Sequence, residues 1–503
     1  MSLILFASTG LFVIVLWYSL RRKKDLPLPP GPPPLPIIGN GHQTPSINAC
    51  RTYQNWHKTY GPIVALRYGR KDVISIGSHE VARDLLEKKS SIYSSRPQFI
   101  IASQCIAKNL HTALLPYGPK WRNHHRIQAS FLKLDLSTNY RDVQDMESKQ
   151  LIHDLLTDGS FCSHFRRFTS SVMSTMAYGQ RIESPNAKVI KELAALTESW
   201  LGSINSSQSV MVELFPVLNY LPRIFAPWKR KGDIAHELTI ALYKKNLFDG
   251  RSSPSWNWVQ ASLNMKESKG LSDNEMSYII GVLWEAGTDT TAGALKVFVL
   301  ACLTFPETMK KAHAELNKVV GLDRLPSFED MENLPYVNAL VTECLRWRPL
   351  TPLGFARVVS EDDEYMGYRI PKGAMVMPNH WTLDLDESVF KNATEFRPER
   401  WLDDPNLPLA AFGFGRRGCI GRHVARNSLT ISISRLIWAY EITHQYKDGI
   451  KQEVDPWNME QNMTSPRGLR SPIPQHERII MREWNAAEKN PEAIMSYIHS
   501  LAL

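Results

Sequence analysis

The chain has 503 residues, 43% hydrophobic and 22% charged, a balance that supports a large folded core and excludes wholesale disorder. Its net charge of +9 suits an anionic membrane leaflet or an acidic protein partner. Nucleic acid is excluded as a partner, because the basic excess is scattered and forms no Lys/Arg stripe interleaved with aromatics.

From Leu3 to Leu20 the sequence LILFASTGLFVIVLWYSL carries no charge. A helix of that length reaches roughly 27 Å, close to the hydrocarbon thickness of a bilayer. Trp17 and Tyr18 stand at one end, where aromatic rings favour the interface, and Arg21-Arg22-Lys23-Lys24 follows, which the positive-inside rule keeps cytosolic. A cleaved secretory signal would carry its charges ahead of the apolar run and a small-residue cleavage site behind it, and neither holds here. Residues 1–22 therefore read as one transmembrane anchor, 23–40 as a basic and proline-rich linker, and 41–503 as one domain. Pro27 to Pro36 is too proline-rich for a helix or sheet interior and predicts a semi-rigid spacer.

Ile63 to Tyr68 and Val73 to Ile76, flanking Gly69-Arg-Lys-Asp72, predict a β-hairpin. Residues 80–345 carry mostly helical periodicity, for example over Val81–Lys88 and Pro306–Val320. Between roughly 350 and 480 the texture turns to loops and short strands such as Ala374–Met377, and Asn485–Leu503 reads as a helical tail. The predicted class is α+β, predominantly α-helical with a minor β portion.

Within the long apolar stretch Tyr278–Phe305 lies Ala286-Gly-Thr-Asp289-Thr290-Thr291. Polar residues inside such a helix are costly unless satisfied, and a glycine beside hydroxyls permits a local kink. Glu343 and Arg346 are spaced i, i+3 on one helical face, by itself a surface pair of little worth. Six cysteines stand at 50, 105, 162, 302, 344 and 419, with no C-x-x-C pair and neither zinc nor disulfide spacing, as in a reducing compartment.

Cys419 is the exception, in Phe412-Gly-Phe-Gly415-Arg-Arg417-Gly-Cys419-Ile-Gly421. The glycines at 413, 415 and 418 also match G-x-G-x-x-G, but a dinucleotide fingerprint needs a preceding strand, and Pro405 and Pro408 precede this one. Glycines at 413, 415, 418 and 421 allow close backbone approach to a flat ligand. A helix starting near Cys419 would set its thiol at the positive end of the dipole, where a thiolate is favoured, and Arg417 offers a partner for an acidic group of a cofactor.

This decapeptide resembles the haem-binding loop of the cytochrome P-450 superfamily, F-x-x-G-x-R-x-C-x-G, at every specified position, with Phe412, Gly415, Arg417, Cys419 and Gly421 in the matching places. The resemblance implies that Cys419 is the axial ligand of the iron of haem b, a thiolate whose electron donation favours O–O cleavage. It implies that Asp289 and Thr290 deliver the protons that dioxygen activation consumes. Glu343, Arg346 and the later Arg400 resemble the family's E-x-x-R and meander arginine, a buried structural lock; Trp401 stands where a phenylalanine is common. Trp121 opens a segment resembling the W-x-x-x-R helix that contacts a haem propionate, with His125 where the arginine is expected and Arg126 one place later, so the partner is one of these two. Arg357 matches the position of a second propionate partner.

The overall layout resembles the microsomal, fungal-type branch. It implies a monooxygenase on the endoplasmic reticulum membrane, with its catalytic domain cytosolic, fed with electrons by a flavoprotein reductase that uses NADPH. Three N-x-S/T sequons, at Asn205, Asn392 and Asn462, are then unused. A peroxide isomerase or dehydratase and a non-catalytic haem sensor are the alternatives; the intact Asp289-Thr290 pair has no evident use in either. By family position the pocket draws on Phe99, Leu283, Ala286, Phe355 and Met463, mostly apolar, which implies a medium-sized hydrophobic substrate of secondary metabolism.

Overall fold

The hairpin forms where the alternation puts it. β1 (Ile63–Tyr68) pairs antiparallel with β2 (Lys71–Ile76), with Tyr68 opposite Lys71. The turn is Gly69-Arg70 alone, tighter than the four residues expected, because Gly69 adopts a φ of +59° and closes a two-residue turn. The computed structural model describes residues 26–157, 160–444, 446–457, 469–472 and 474–488. The expected anchor at 1–22 and Met463 lie outside the described residues.

The proline-rich stretch stays out of helix and sheet interior, and it rests on the body. The Ala65 amide donates to the Pro30 carbonyl at 3.1 Å and Asn40 Nδ2 to that of Pro32 at 3.0 Å. Two later strands complete the sheet. β4 (Met375–Pro378) runs parallel to β2, and β3 (Arg357–Val358) runs antiparallel to β4, giving the order β1-β2-β4-β3.

The helices that frame the site are α1 (Ala49–Tyr60), α2 (Pro119–Phe131), α3 (Arg141–Thr157), α4 (Phe161–Tyr178), α5 (Lys188–Ile204), α6 (Pro227–Ser252), α7 (Asp273–Thr304), α8 (Pro306–Val319), α9 (Pro335–Trp347), α10 (Arg422–Ala439) and α11 (Pro474–Glu488). Proline opens α2, α6, α8 and α9, where its missing N–H has no helical partner to lose. Ser272 caps α7 by accepting the Glu275 N–H, and Asp273 and Glu275 place negative charge in its first turn. α7 crosses the middle of the body and packs against α4, α6, α9 and α10 around one large apolar cluster.

The helical reading of Val81–Lys88 is met by a short turn, His79–Ala82, that widens into i→i+5 winding over Arg83–Lys88. Within the stretch from 350 to 480 the helix expected to start near Cys419 forms as α10, and the start of α11 is a helix that the loop-and-strand texture did not suggest. The helical tail also begins earlier, at Pro474, and belongs to the core: Ile480 and Trp484 are buried, and the His476 ring stacks on Trp438 at 3.9 Å. Residues 489–503 are outside the described residues.

Candidate active site

Cys419 stands three residues before α10, with Gly421 at the N-cap. The loop is closed by its own backbone: the Cys419 amide donates to the Phe412 carbonyl at 2.7 Å and the Gly418 amide to that of Gly415 at 2.9 Å. Although inside the body, the thiol has open surface, because it faces a cavity of about 120 Å³ bounded by Leu283, Ala286 and Thr290 of α7 and Val424 of α10. Burial pushes the thiol pKa up, while the Gly421 amide and the Arg422 guanidinium draw it down. Of the loop glycines, Gly421 meets the expectation of room for a flat ligand, as a Cβ there would touch nothing within 4 Å. Gly415 does not. Its φ is +52° and a Cβ would meet the Leu86 carbonyl at 2.2 Å, so it serves the path of the loop itself.

Across the cavity, α7 is buried from Met276 to Ala292 except at Glu285, Ala286, Gly287, Asp289 and Thr290. The helix runs unbroken through this notch, so the kink its composition permits is not needed to open it. The Thr290 hydroxyl donates to the Ala286 carbonyl at 2.6 Å, and that of Thr288 to Trp284 at 2.8 Å, which satisfies both alcohols along the helix. Asp289 pairs with Arg166 of α4 at 3.1 Å, a partner that no local pattern in the sequence marks.

A third feature gathers beside the loop. Arg357, 3% exposed, donates from Nη2 to the Phe414 carbonyl at 2.6 Å, and its Nε has no partner. Arg417 donates to the carbonyls of Ser94 and Leu115, each at 2.7 Å, and lies over the Trp121 ring at 4.2 Å. Arg96, absent from the sequence reading, joins them by donating to the Ala356 carbonyl at 2.6 Å. Burial, then repulsion among the three, holds Arg357 and Arg417 down to about 9, and burial holds Arg96 to about 10. No carboxylate among the described residues makes an ion pair with any of them. The His125 ring lies tilted against Trp121, with centroids 4.6 Å apart, and is pushed down by burial and by Arg417, whereas Arg126, one step farther round α2, is exposed. Of the two candidates, it is His125 that faces the cluster.

The cytochrome P450 family model matches residues 29–468. The chain belongs to the cytochrome P450 family. It is 41% identical over 98% of its length to the cytochrome P450 monooxygenase aneD of Aspergillus aculeatus, covering 96% of that protein. It is 40% identical to the monooxygenase FrzL of Cladobotryum sp, with 96% and 94% of the two chains covered, and 42% identical to peniB of Penicillium patulum, with 92% and 87% covered. The chain is accordingly an oxidoreductase of the monooxygenase class, and the family implies a haem cofactor.

The residues of this P450 fit that group. An open thiol faces the α7 notch, and three guanidiniums without counter-ions, Arg357 buried and Arg96 and Arg417 half-buried, stand where a flat ligand with two carboxylates needs cations. Beneath them the expected lock is formed. Arg346 donates to both oxygens of Glu343, at 2.7 and 2.8 Å, Arg400 donates at 3.1 Å, and all three side chains are 5% exposed or less. The Arg397 amide donates to Glu343 at 2.8 Å, and the Trp401 indole N–H adds a further bond at 2.9 Å, one that phenylalanine could not make. Of the expected pocket residues, Leu283 and Ala286 border the cavity with Cys419, while Phe99 and Phe355 lie outside its wall.

Proposed function

We propose that Cys419 is the axial ligand of haem iron and that this enzyme oxidises, chiefly by hydroxylation, a medium-sized hydrophobic molecule of secondary metabolism. The observation that carries it is the Cys419 thiol open to a cavity roofed by Ala286 and Thr290. Bound there, a thiolate-ligated haem would supply dioxygen activation, which the electron push of sulfur favours. The chain's own part is positioning and proton handling. Arg96, Arg357, Arg417, His125 and Trp121 supply donors for the propionates, and a coordinated thiol is held deprotonated whatever its pKa when free. Asp289 takes up protons from the solvent side and passes them to the Thr290 hydroxyl, which can donate into the cavity when it leaves the Ala286 carbonyl. Apolar walls at Leu283 and Val424 keep bulk water from short-circuiting this route.

Electrons would come from an NADPH-dependent flavoprotein reductase with an acidic face. Exposed Arg416, Arg422 and Arg426 around the cysteine loop support docking there. The apolar Leu3–Leu20 and the basic residues after it support a single-pass anchor in the endoplasmic reticulum membrane, with the body cytosolic. A glycan on Asn205 or Asn392 would reverse that orientation. The test of function is the carbon-monoxide difference spectrum of the reduced protein. The wild type should show the red-shifted band of thiolate-ligated haem, and Cys419→Ser should lose it; an unchanged band in the variant would remove the assignment.

A further inference from the structure

A second cavity, of about 540 Å³, lies on the other side of α10 from Cys419. Val424, Ala425 and Ser428 of α10 face the Cys419 space, whereas Arg426, Asn427 and Thr430, about half a turn round the helix, face this one. The rest of its wall is mostly apolar, with Phe328, Met331, Ala339, Trp401 and Leu407 supplying much of it. Two guanidiniums line it, Arg426 and Arg141, the first residue of α3. Each is held by one face: Arg141 lies over the Phe328 ring at 5.1 Å and Arg426 over the Phe412 ring at 5.5 Å. A guanidinium stacked in this way keeps its edge of N–H groups for an acceptor in its own plane. Those edges are almost unused. Arg426 reaches the Thr342 hydroxyl at 3.4 Å, and Arg141 Nε is buried with no hydrogen bond. Glu332 is the one carboxylate in this wall among the described residues, and it makes no ion pair with either arginine.

We propose that this cavity binds an amphipathic anion, one carboxylate on a hydrocarbon body, with Arg141 and Arg426 receiving the carboxylate and the apolar wall the hydrocarbon. Two cations against one acid leave room for a single negative group. Cations set among apolar side chains without a counter-charge carry a desolvation cost, which a carboxylate removes. An inorganic anion would answer the charge but leave the apolar wall in water, so the hydrocarbon is part of the requirement.

The volume falls within the range of small-molecule pockets, roughly 300–1,000 Å³. Burial, then the Arg422 charge, lowers the Arg426 pKa, and no acid raises it, in keeping with a cation that lacks a partner. The occupant is not the molecule oxidised, because α10 stands between it and the Cys419 thiol. It does lie close to the cysteine loop, since Arg426 stacks on Phe412, whose carbonyl accepts the Cys419 amide.

The experiment uses the full-length, haem-loaded enzyme with an azole on the iron, so that the space above Cys419 is already filled. Octanoate, its neutral twin octanamide and acetate are each titrated by calorimetry. The wild type should bind one octanoate per chain, about tenfold more tightly than octanamide, and acetate at the same concentration should not displace it. Arg141→Gln and Arg426→Gln should each weaken octanoate about tenfold and leave octanamide unchanged. Leu402→Asp, which adds an acid at the exposed rim of the cavity, should do the same. No binding, equal affinity for the two probes, displacement by acetate, or a preference for octanoate that survives both arginine variants would overturn the proposal. Should Arg426→Gln fail to load haem, Arg141→Gln and Leu402→Asp decide the matter, since both changes sit in the cavity wall outside the cysteine loop.

Discussion

Trp401 donates to a carboxylate that already serves two arginines, and this bond has a measurable weight. Trp401→Phe removes one donor from Glu343 together with the second ring of the buried indole, so unfolding stability should drop by about 1–3 kcal/mol in a denaturant titration. Glu343→Gln should cost more, about 3–5 kcal/mol, because Arg346 and Arg400 would be left buried without a charge partner. At the notch, Thr290→Ala should leave substrate binding intact while product formation falls about 100-fold and NADPH consumption continues. Such uncoupling is read by comparing cofactor oxidised with product formed. The motif residues were legible in the sequence because each carries its chemistry at a short, fixed spacing. Arg96 and Arg166 were not. They reach the site through side chains laid across the fold, and neither stands in a local pattern.

At the scale of elements, the cysteine loop depends on how it docks as much as on its own sequence. Gly415 is threaded against the Leu86 carbonyl at the end of the short turn His79–Lys88, with Arg357 of β3 holding Phe414 in place. Gly415→Ala therefore meets both a positive φ and a backbone clash. It should lower the unfolding midpoint by an amount equal to about 2 kcal/mol or more and reduce haem content as isolated. The sequence suggested a flat ligand as the reason for all four glycines. Only packing could show that Gly415 answers to a neighbouring backbone and Gly421 to open space. The hairpin shows the same division: alternation placed β1 and β2, while the two-residue turn at Gly69-Arg70 followed from the register of Tyr68 with Lys71.

At the scale of the whole molecule, burial of neutral histidines sets the acid limit of the fold. His57, His79 and His380 are each pushed down to about 4 by burial. Their contribution is complete above the unfolded histidine pKa of about 6.5 and is lost as pH falls towards the folded values, because only the unfolded chain takes up the protons. Stability measured by denaturant should decline over that window, and His57→Gln should flatten the slope. An unchanged slope would show that His57 is protonated in the folded state. The family, the helix-rich class, the cysteine that faces the cavity and the order of the motifs were determined by the sequence alone, since each is written in periodicity or in short-range spacing. Tertiary structure decided what distance in the chain conceals. It set His125 and not Arg126 beside Trp121 and Arg417, and it brought Arg96 and Arg166 to the site. The physical reason is that burial and charge compensation belong to the assembled interior, where residues far apart in sequence set each other's surroundings.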